Sequence, residues 1–213
     1  MAGSHALCWQ KIFGGVPIMS GVIDFYFDFI SPFSYLAHCR LPDLAARHGH
    51  AIAYHVVNLA ALKLEGGNTG PTTREMPLKY RYSGADMQRW AARYGVTITR
   101  PSSHGPDRLN KGAFLAADRG VTGAYVTNVW RRVWGEGGDM AGEALMRAVA
   151  EELGWDAEEY IAFTESESAE ARYESATRTA HEVGVFGVPT MMIGAEMWWG
   201  NDRLDFVEEY LVA

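Results

Sequence analysis

VIDFYFDFISPFSYLA, residues 22–37, changes character at its middle. In its first half Ile23, Phe25 and Phe27 alternate against Val22, Asp24, Tyr26 and Asp28. Period two in β-branched and aromatic residues marks a half-buried or central strand. Two residues, Phe29 and Ile30, lead to Ser31-Pro32. A serine followed by proline predicts a helix start: the hydroxyl caps orphan backbone N–H groups, and the fixed φ of proline suits the first turn. Leu36, Ala37, Leu41, Leu44 and Ala45 continue an apolar face to about Arg47, with a kink expected at Pro42. Ala51 to Val57 (AIAYHVV) reads as a second strand, so this region is a β-α-β unit.

Beyond it the spacing turns helical. Met87, Trp90, Ala91 and Tyr94 fall at i, i+3, i+4, i+7, as do Val126, Val129, Trp130 and Val133, and Ala141, Ala144, Leu145 and Ala148. Tyr173, Ala176, Ala180 and Val183 approximate the same pattern. Breaks rich in Gly and Pro at residues 66–71, 101–106 and 135–138 separate the segments. Val188 to Ile193 then reads as a strand entered through Pro189, with a cis bond expected at Val188-Pro189. Gly194 marks a tight turn, and Glu196 to Trp199 reads as the partner strand. Asn201 and Asp202 suit the cap of a last helix bearing Leu204, Val207 and Leu211.

The order is β-α-β, helices, β-β-α. It predicts an α/β protein: a thioredoxin-like fold with an inserted all-helical domain. Residues 19–59 and 183–213 would form the thioredoxin-like part and 60–182 the insertion. Residues 1–18 lack periodicity, and a domain start near Met19 would leave them as a disordered or non-native extension; an arm packing on a partner subunit is the alternative. In this fold the active residue sits where the first strand enters the first helix, faced by the proline before the third strand.

Composition narrows the function classes. The 213 residues are 48% hydrophobic and 21% charged, a globular balance. Nineteen Lys and Arg against 26 Asp and Glu give a net charge of −7, which argues against nucleic acid as a partner. No apolar run approaches the ~18 residues of a membrane span. Gln10 and Lys11 interrupt the apolar residues at the start, unlike a secretory signal, so a cytoplasmic location is expected. Cys8 and Cys39 allow at most one disulfide, with no CxxC and no Cys/His spacing for zinc. The remaining histidines form no ligand spacing, and no metal is expected.

The chemistry concentrates at the strand-to-helix turn. Where a thiol oxidoreductase of this architecture carries CxxC, this chain has Ser31-Pro32-Phe33-Ser34. Two hydroxyls cannot cycle through a disulfide. Ser31 can simply cap the helix, or it can donate a hydrogen bond to an anion at the helix N-terminus. If that anion is the thiolate of a bound thiol, the site lowers its pKa, as helix N-termini do for cysteine.

Four segments carry a resemblance: DFYFDFISPFSYLA (residues 24–37), GNTGPTTRE (67–75), VWGEG (133–137) and VFGVPTMMIGAEMWWGNDRL (185–204). They resemble the 2-hydroxychromene-2-carboxylate isomerases, glutathione-dependent enzymes of bacterial naphthalene-type degradation related to kappa-class glutathione transferases and the DsbA-like thioredoxin superfamily. The resemblance covers Met19 to Ala213. It implies that Ser31 is the catalytic serine that steadies the glutathione thiolate. It also implies that the Val188 backbone pairs with the cysteinyl part of glutathione, and that Trp199, Gly200, Asn201 and Asp202 hold its other end. Lys63 and Arg74 would bind the substrate carboxylate. Thr73 and His104 would line the substrate side, standing where the family has a familiar asparagine and tyrosine. Lys63 and His104 also read plainly as loop residues. The implied protein is a homodimer acting on a small aromatic carboxylic acid. A kappa-like transferase and a DsbA-like protein without dithiol chemistry are the alternatives.

Overall fold

A computed structural model of the protein describes residues 21–212; the expectation for residues 1–18 lies outside them. The strands are β1 (Gly21–Phe27), β2 (His50–Val56), β3 (Thr190–Ile193) and β4 (Glu196–Trp199). They form one mixed sheet in the order β2-β1-β3-β4, with β1 parallel to β2 and antiparallel to β3. The peptide bond before Pro189 is cis.

The first helical segment differs from the expectation. It is not one helix kinked at Pro42 but two, α1 (Pro32–His38) and α2 (Leu41–Arg47), separated at Cys39 and Arg40. Pro42 falls in the first turn of α2, where its missing N–H costs no hydrogen bond. Seven helices then connect β2 to β3: α3 (Leu59–Glu65), α4 (Pro77–Tyr94), α5 (Asp107–Asp118), α6 (Thr122–Trp130), α7 (Glu143–Leu153), α8 (Ala157–Thr164) and α9 (Glu167–Glu182). A π turn, Arg131–Gly135, prolongs α6. A 3-10 turn, Asn201–Arg203, leads into α10 (Leu204–Val212) with no side-chain cap bond at its start.

The alternation read in β1 corresponds to one face buried throughout and a second buried only toward its end, where Tyr26 is 9% exposed against 48% at Val22. Ile23, Phe25 and Phe27 have no exposed surface. The rings of Phe25, Phe27 and Phe29 lie 6.2, 5.0 and 5.1 Å from that of Trp130. Full burial of such side chains is worth about 1.5–3 kcal/mol each, so the sheet and the α6 helix share one core. On the other face Tyr26 packs with Val57, Leu62, Ala180, Val185 and Val188. No helix among the described residues is long and apolar enough to cross a membrane.

Two features make this core testable. A Cβ at Gly112 would lie 2.6 Å from Tyr160 Cε2 and closer still to the Tyr125 hydroxyl. Gly112→Ala is therefore expected to lower stability by about 1–3 kcal/mol through overpacking, although alanine favours helix; urea unfolding checks it. His38 is buried, with its Nε2 2.9 Å from Thr127 Oγ1, and burial lowers its pKa from 6.5 to about 4. The unfolded chain takes up this proton first as pH falls, so stability is lost between about pH 6.5 and 4, on the order of 3 kcal/mol in all. Subtracting the pH dependence of His38→Asn isolates the effect.

Candidate active site

The turn between β1 and α1 is held from three directions. The Phe29 N–H donates to Asn110 Oδ1 of α5 at 3.1 Å. The Phe29 carbonyl accepts from Trp134 Nε1, in the π turn, at 2.8 Å. The Ile30 N–H donates to Asp28 Oδ1 at 3.0 Å, and the Ser31 N–H to the Asp28 carbonyl at 3.0 Å. Every one of these backbone groups is taken out of water, and an unpaired one would cost about 1–3 kcal/mol. π turns often mark functional sites. Here the turn carries the indole that reaches Phe29.

Ser31 is buried at 6% exposure and sits at the N-cap of α1. Its Oγ accepts the Ser34 N–H at 3.1 Å. That bond uses a lone pair and leaves the O–H to donate, so capping and donation to an anion are compatible. Ser34 is fully buried, and its Oγ has no partner among the described residues. Cys39 stands at the other end of α1, half-buried, with its thiol pushed up by burial. It is neither near the N-terminus nor tuned for reactivity.

The pairing of β1 with β3 runs through Tyr26 opposite Thr190. Its continuation brings Val188 toward the Asp28 end of β1, the end that leads to Ser31. Val188 is 9% exposed, and among the described residues its N–H and C=O make no backbone hydrogen bond. Trp199 is 54% exposed and stacks edge-on with Phe186 at 5.1 Å. Gly187 admits this ring, since a Cβ there would lie 2.8 Å from Trp199 Nε1. Gly200 has φ +116°, a conformation that favours glycine. Asn201 is buried at 4%; its carbonyl accepts from the Tyr94 hydroxyl at 3.1 Å, while its Nδ2 has no partner among the described residues. Asp202 pairs with Arg203 at 3.2 Å. Neither side chain caps the turn that leads to α10. The 3-10 turn packs on α1, so this end of the site lies beside the helix that Ser31 opens.

The residues expected to bind substrate form two groups. Lys63, in α3, is half-buried. Burial and then Lys79 lower its pKa, and Asp28 opposes them. Thr73 and Arg74 begin a 3-10 turn, Thr73–Glu75, that is closed by Thr72 and Glu75. His104 is exposed in the loop before α5; burial, Arg74 and Arg100 lower its pKa, which places these three side chains within electrostatic reach. Asp28, Asn110, Trp134 and Tyr173 escaped the sequence reading. The available signals were a carboxylate closing an apolar strand and an amide between Leu109 and Ala113 on a buried helix face. A surface groove of about 600 Å³ at α2, β2 and the start of α6 contains none of the expected site residues. Among the described residues no cluster of His, Cys, Asp and Glu could hold a metal ion.

Residues 22–212 match the model of the DSBA-like thioredoxin domain. A curated protein of Pseudomonas sp. (strain C18) named 2-hydroxychromene-2-carboxylate isomerase is 45% identical over 187 residues, 88% of this chain and 88% of its own. A solved structure of a 2-hydroxychromene-2-carboxylate isomerase aligns with a TM-score of 0.86 and 44% identity, covering 89% of this chain and 94% of that one. The cytosolic disulfide reductase DsbM of Pseudomonas aeruginosa, solved with GSH, shares the fold at 18% identity. Its TM-score is 0.62, over 90% of this chain and all of that one.

The clamp on the turn has a measurable worth. Trp134→Phe keeps most of the packing and removes the donor to the buried Phe29 carbonyl. It is expected to lower unfolding free energy by about 1–3 kcal/mol, read from denaturant midpoints at unchanged slope.

Proposed function

The chain belongs to the 2-hydroxychromene-2-carboxylate isomerase family of DSBA-like thioredoxin domains, and we propose that it interconverts 2-hydroxychromene-2-carboxylate and trans-o-hydroxybenzylidenepyruvate with glutathione as a catalytic cofactor in aromatic degradation. The observation that carries this reading is Ser31: a hydroxyl, free to donate, stands where the fold otherwise stores its own thiol. The site borrows a sulfur nucleophile, and the α1 N-terminus favours that sulfur as an anion.

The residues present fit glutathione. Asn201 Nδ2 is a buried donor lacking a protein partner, suited to an amide or carboxylate oxygen of the tripeptide. The Val188 backbone is open to pairing in the manner of an added strand. Bound there, glutathione would supply a thiolate for reversible conjugate addition, which permits ring opening and bond rotation before elimination restores the double bond and returns the thiol unchanged. Ser31 orients and stabilises the sulfur anion. Val188 and Asn201 fix the peptide.

Lys63 and Arg74 serve the substrate. In a chain of net charge −7, Lys63 lies within electrostatic reach of Lys79, and Arg74 and Arg100 both lie within reach of His104. A bound carboxylate relieves the repulsion within such groups and gains strength where water is partly excluded. Burial, then Arg74 and Arg100, lower the pKa of His104, which favours the neutral imidazole, able to exchange a hydrogen bond with a substrate oxygen. Thr73 offers a smaller polar group on the same side.

An absorbance assay on the chromene carboxylate, with and without glutathione, tests the reading. Turnover that requires glutathione and leaves its concentration unchanged supports it. Stoichiometric loss of thiol would instead mark a transferase of the kappa type. Ser31→Ala is expected to cut kcat by about 10- to 100-fold, the worth of one hydrogen bond to a charged group, with glutathione affinity largely kept. Unchanged turnover in that variant would remove Ser31 from the chemistry.

A further inference from the structure

Ser31 and Lys63 belong to separate elements that meet at one buried carboxylate. Asp28 is 3% exposed. Its Oδ1 accepts the Ile30 N–H at 3.0 Å and Asn110 Nδ2 at 2.8 Å. Its Oδ2 accepts, at 3.0 Å, the N–H of Leu59, the first residue of α3. Four residues further along α3 stands Lys63. Asn110 extends the network by accepting from Phe29 and by bonding the Tyr173 hydroxyl at 2.7 Å.

A buried carboxylate is a costly way to cap a helix. Asn58 already caps Ala60 and Ala61 with a neutral side chain. Burial pushes the Asp28 carboxyl up to about 6 in spite of its hydrogen bonds, and Asp107 adds to that rise. The other charged or titratable groups that face it are Lys63 on α3 and Tyr173 on α9. Of these, Lys63 carries the opposite charge. Structural need alone would be met by a neutral acceptor.

We infer that Asp28 is a positioning residue, which fixes the Ser31 turn and the Lys63-bearing helix in one frame through its two carboxylate oxygens. The inference rests on the roles proposed above for Ser31 and Lys63. Glutathione would be held from the β3–β4 side, to which the Asp28 carboxylate makes no hydrogen bond among the described residues. Loss of the frame should therefore spare glutathione binding and damage the alignment of thiol and substrate, where small misplacements are expensive.

Asp28→Asn tests this. Its amide must place a donor against either the Ile30 or the Leu59 N–H. The expected result is a fall in kcat of about tenfold or more, a KM for glutathione within about threefold, and a thermal midpoint within a few degrees. Leu59→Pro provides a second variant that leaves Asp28 intact. It deletes the N–H that Oδ2 accepts and trims a half-buried side chain packed beside Val57 and Leu62, at a position where proline suits a helix, after a residue already extended (Asn58, φ −82°, ψ 102°). The same split, smaller in size, is expected. A kcat within about twofold in both variants overturns the inference, as does a kcat loss that only tracks lost thermal stability. A wild-type protein that does not turn over the chromene would sink the functional reading instead. The frame is then judged by amide hydrogen exchange: Asp28→Asn must speed exchange by about tenfold at Ile30 or at Leu59, whichever N–H loses its acceptor, and unchanged exchange at both overturns it.

Discussion

Carrying a polar turn through an apolar interior constrains everything around Ser31. Between the fully buried Phe27 and the first turn of α1, the chain must change direction while its amides and carbonyls are shut off from water. Each group that leaves solvent needs a partner. Those partners come from far along the chain: Asn110 of α5 and Trp134 of the π turn. The helices between β2 and β3 are therefore more than a cover for the sheet. They complete the hydrogen bonding of the turn, and the Phe25, Phe27, Phe29 and Trp130 rings tie the same two regions together by apolar contact.

Polar satisfaction is lower at the site than in the turn that supports it. Asn201 Nδ2 and Ser34 Oγ are buried without partners, and the Val188 backbone makes no backbone bond among the described residues. Such groups are costly in a folded chain unless a ligand answers them. The hydroxyl of Ser31 follows the same logic. Its acceptor capacity caps the helix, and its donor remains for an anion. A cysteine at that place would bring redox chemistry of its own; a serine keeps a neutral hydroxyl at the α1 N-terminus.

Charge is distributed against the overall balance. The chain is acidic, yet Lys63 and Lys79 lie within repelling distance of one another, and Arg74 and Arg100 both lie within electrostatic reach of His104. Bringing like charges together costs free energy that an anionic substrate returns on binding.

Much of this was legible in the sequence. Period two in residues 22–28 set the two faces of β1, because side-chain direction in a strand follows from backbone geometry alone. Ser31-Pro32 marked the start of α1, and Gly194 the hairpin, because caps and tight turns are local. Local reasoning stopped short at Pro42, where spacing alone does not say whether a proline bends one helix or opens the next. It was also misled at Asn201 and Asp202, good capping residues that do not cap. Asp28, Asn110 and Trp134 could not be paired from sequence at all. Their bonds to one another or to the turn span 82 and 105 residues. Such contacts depend on how helices pack against the sheet, and many residues settle that packing together. The sequence by itself determined which residue stands at the strand-to-helix turn; only the tertiary structure determined what holds that residue in place, because its supports come from far along the chain.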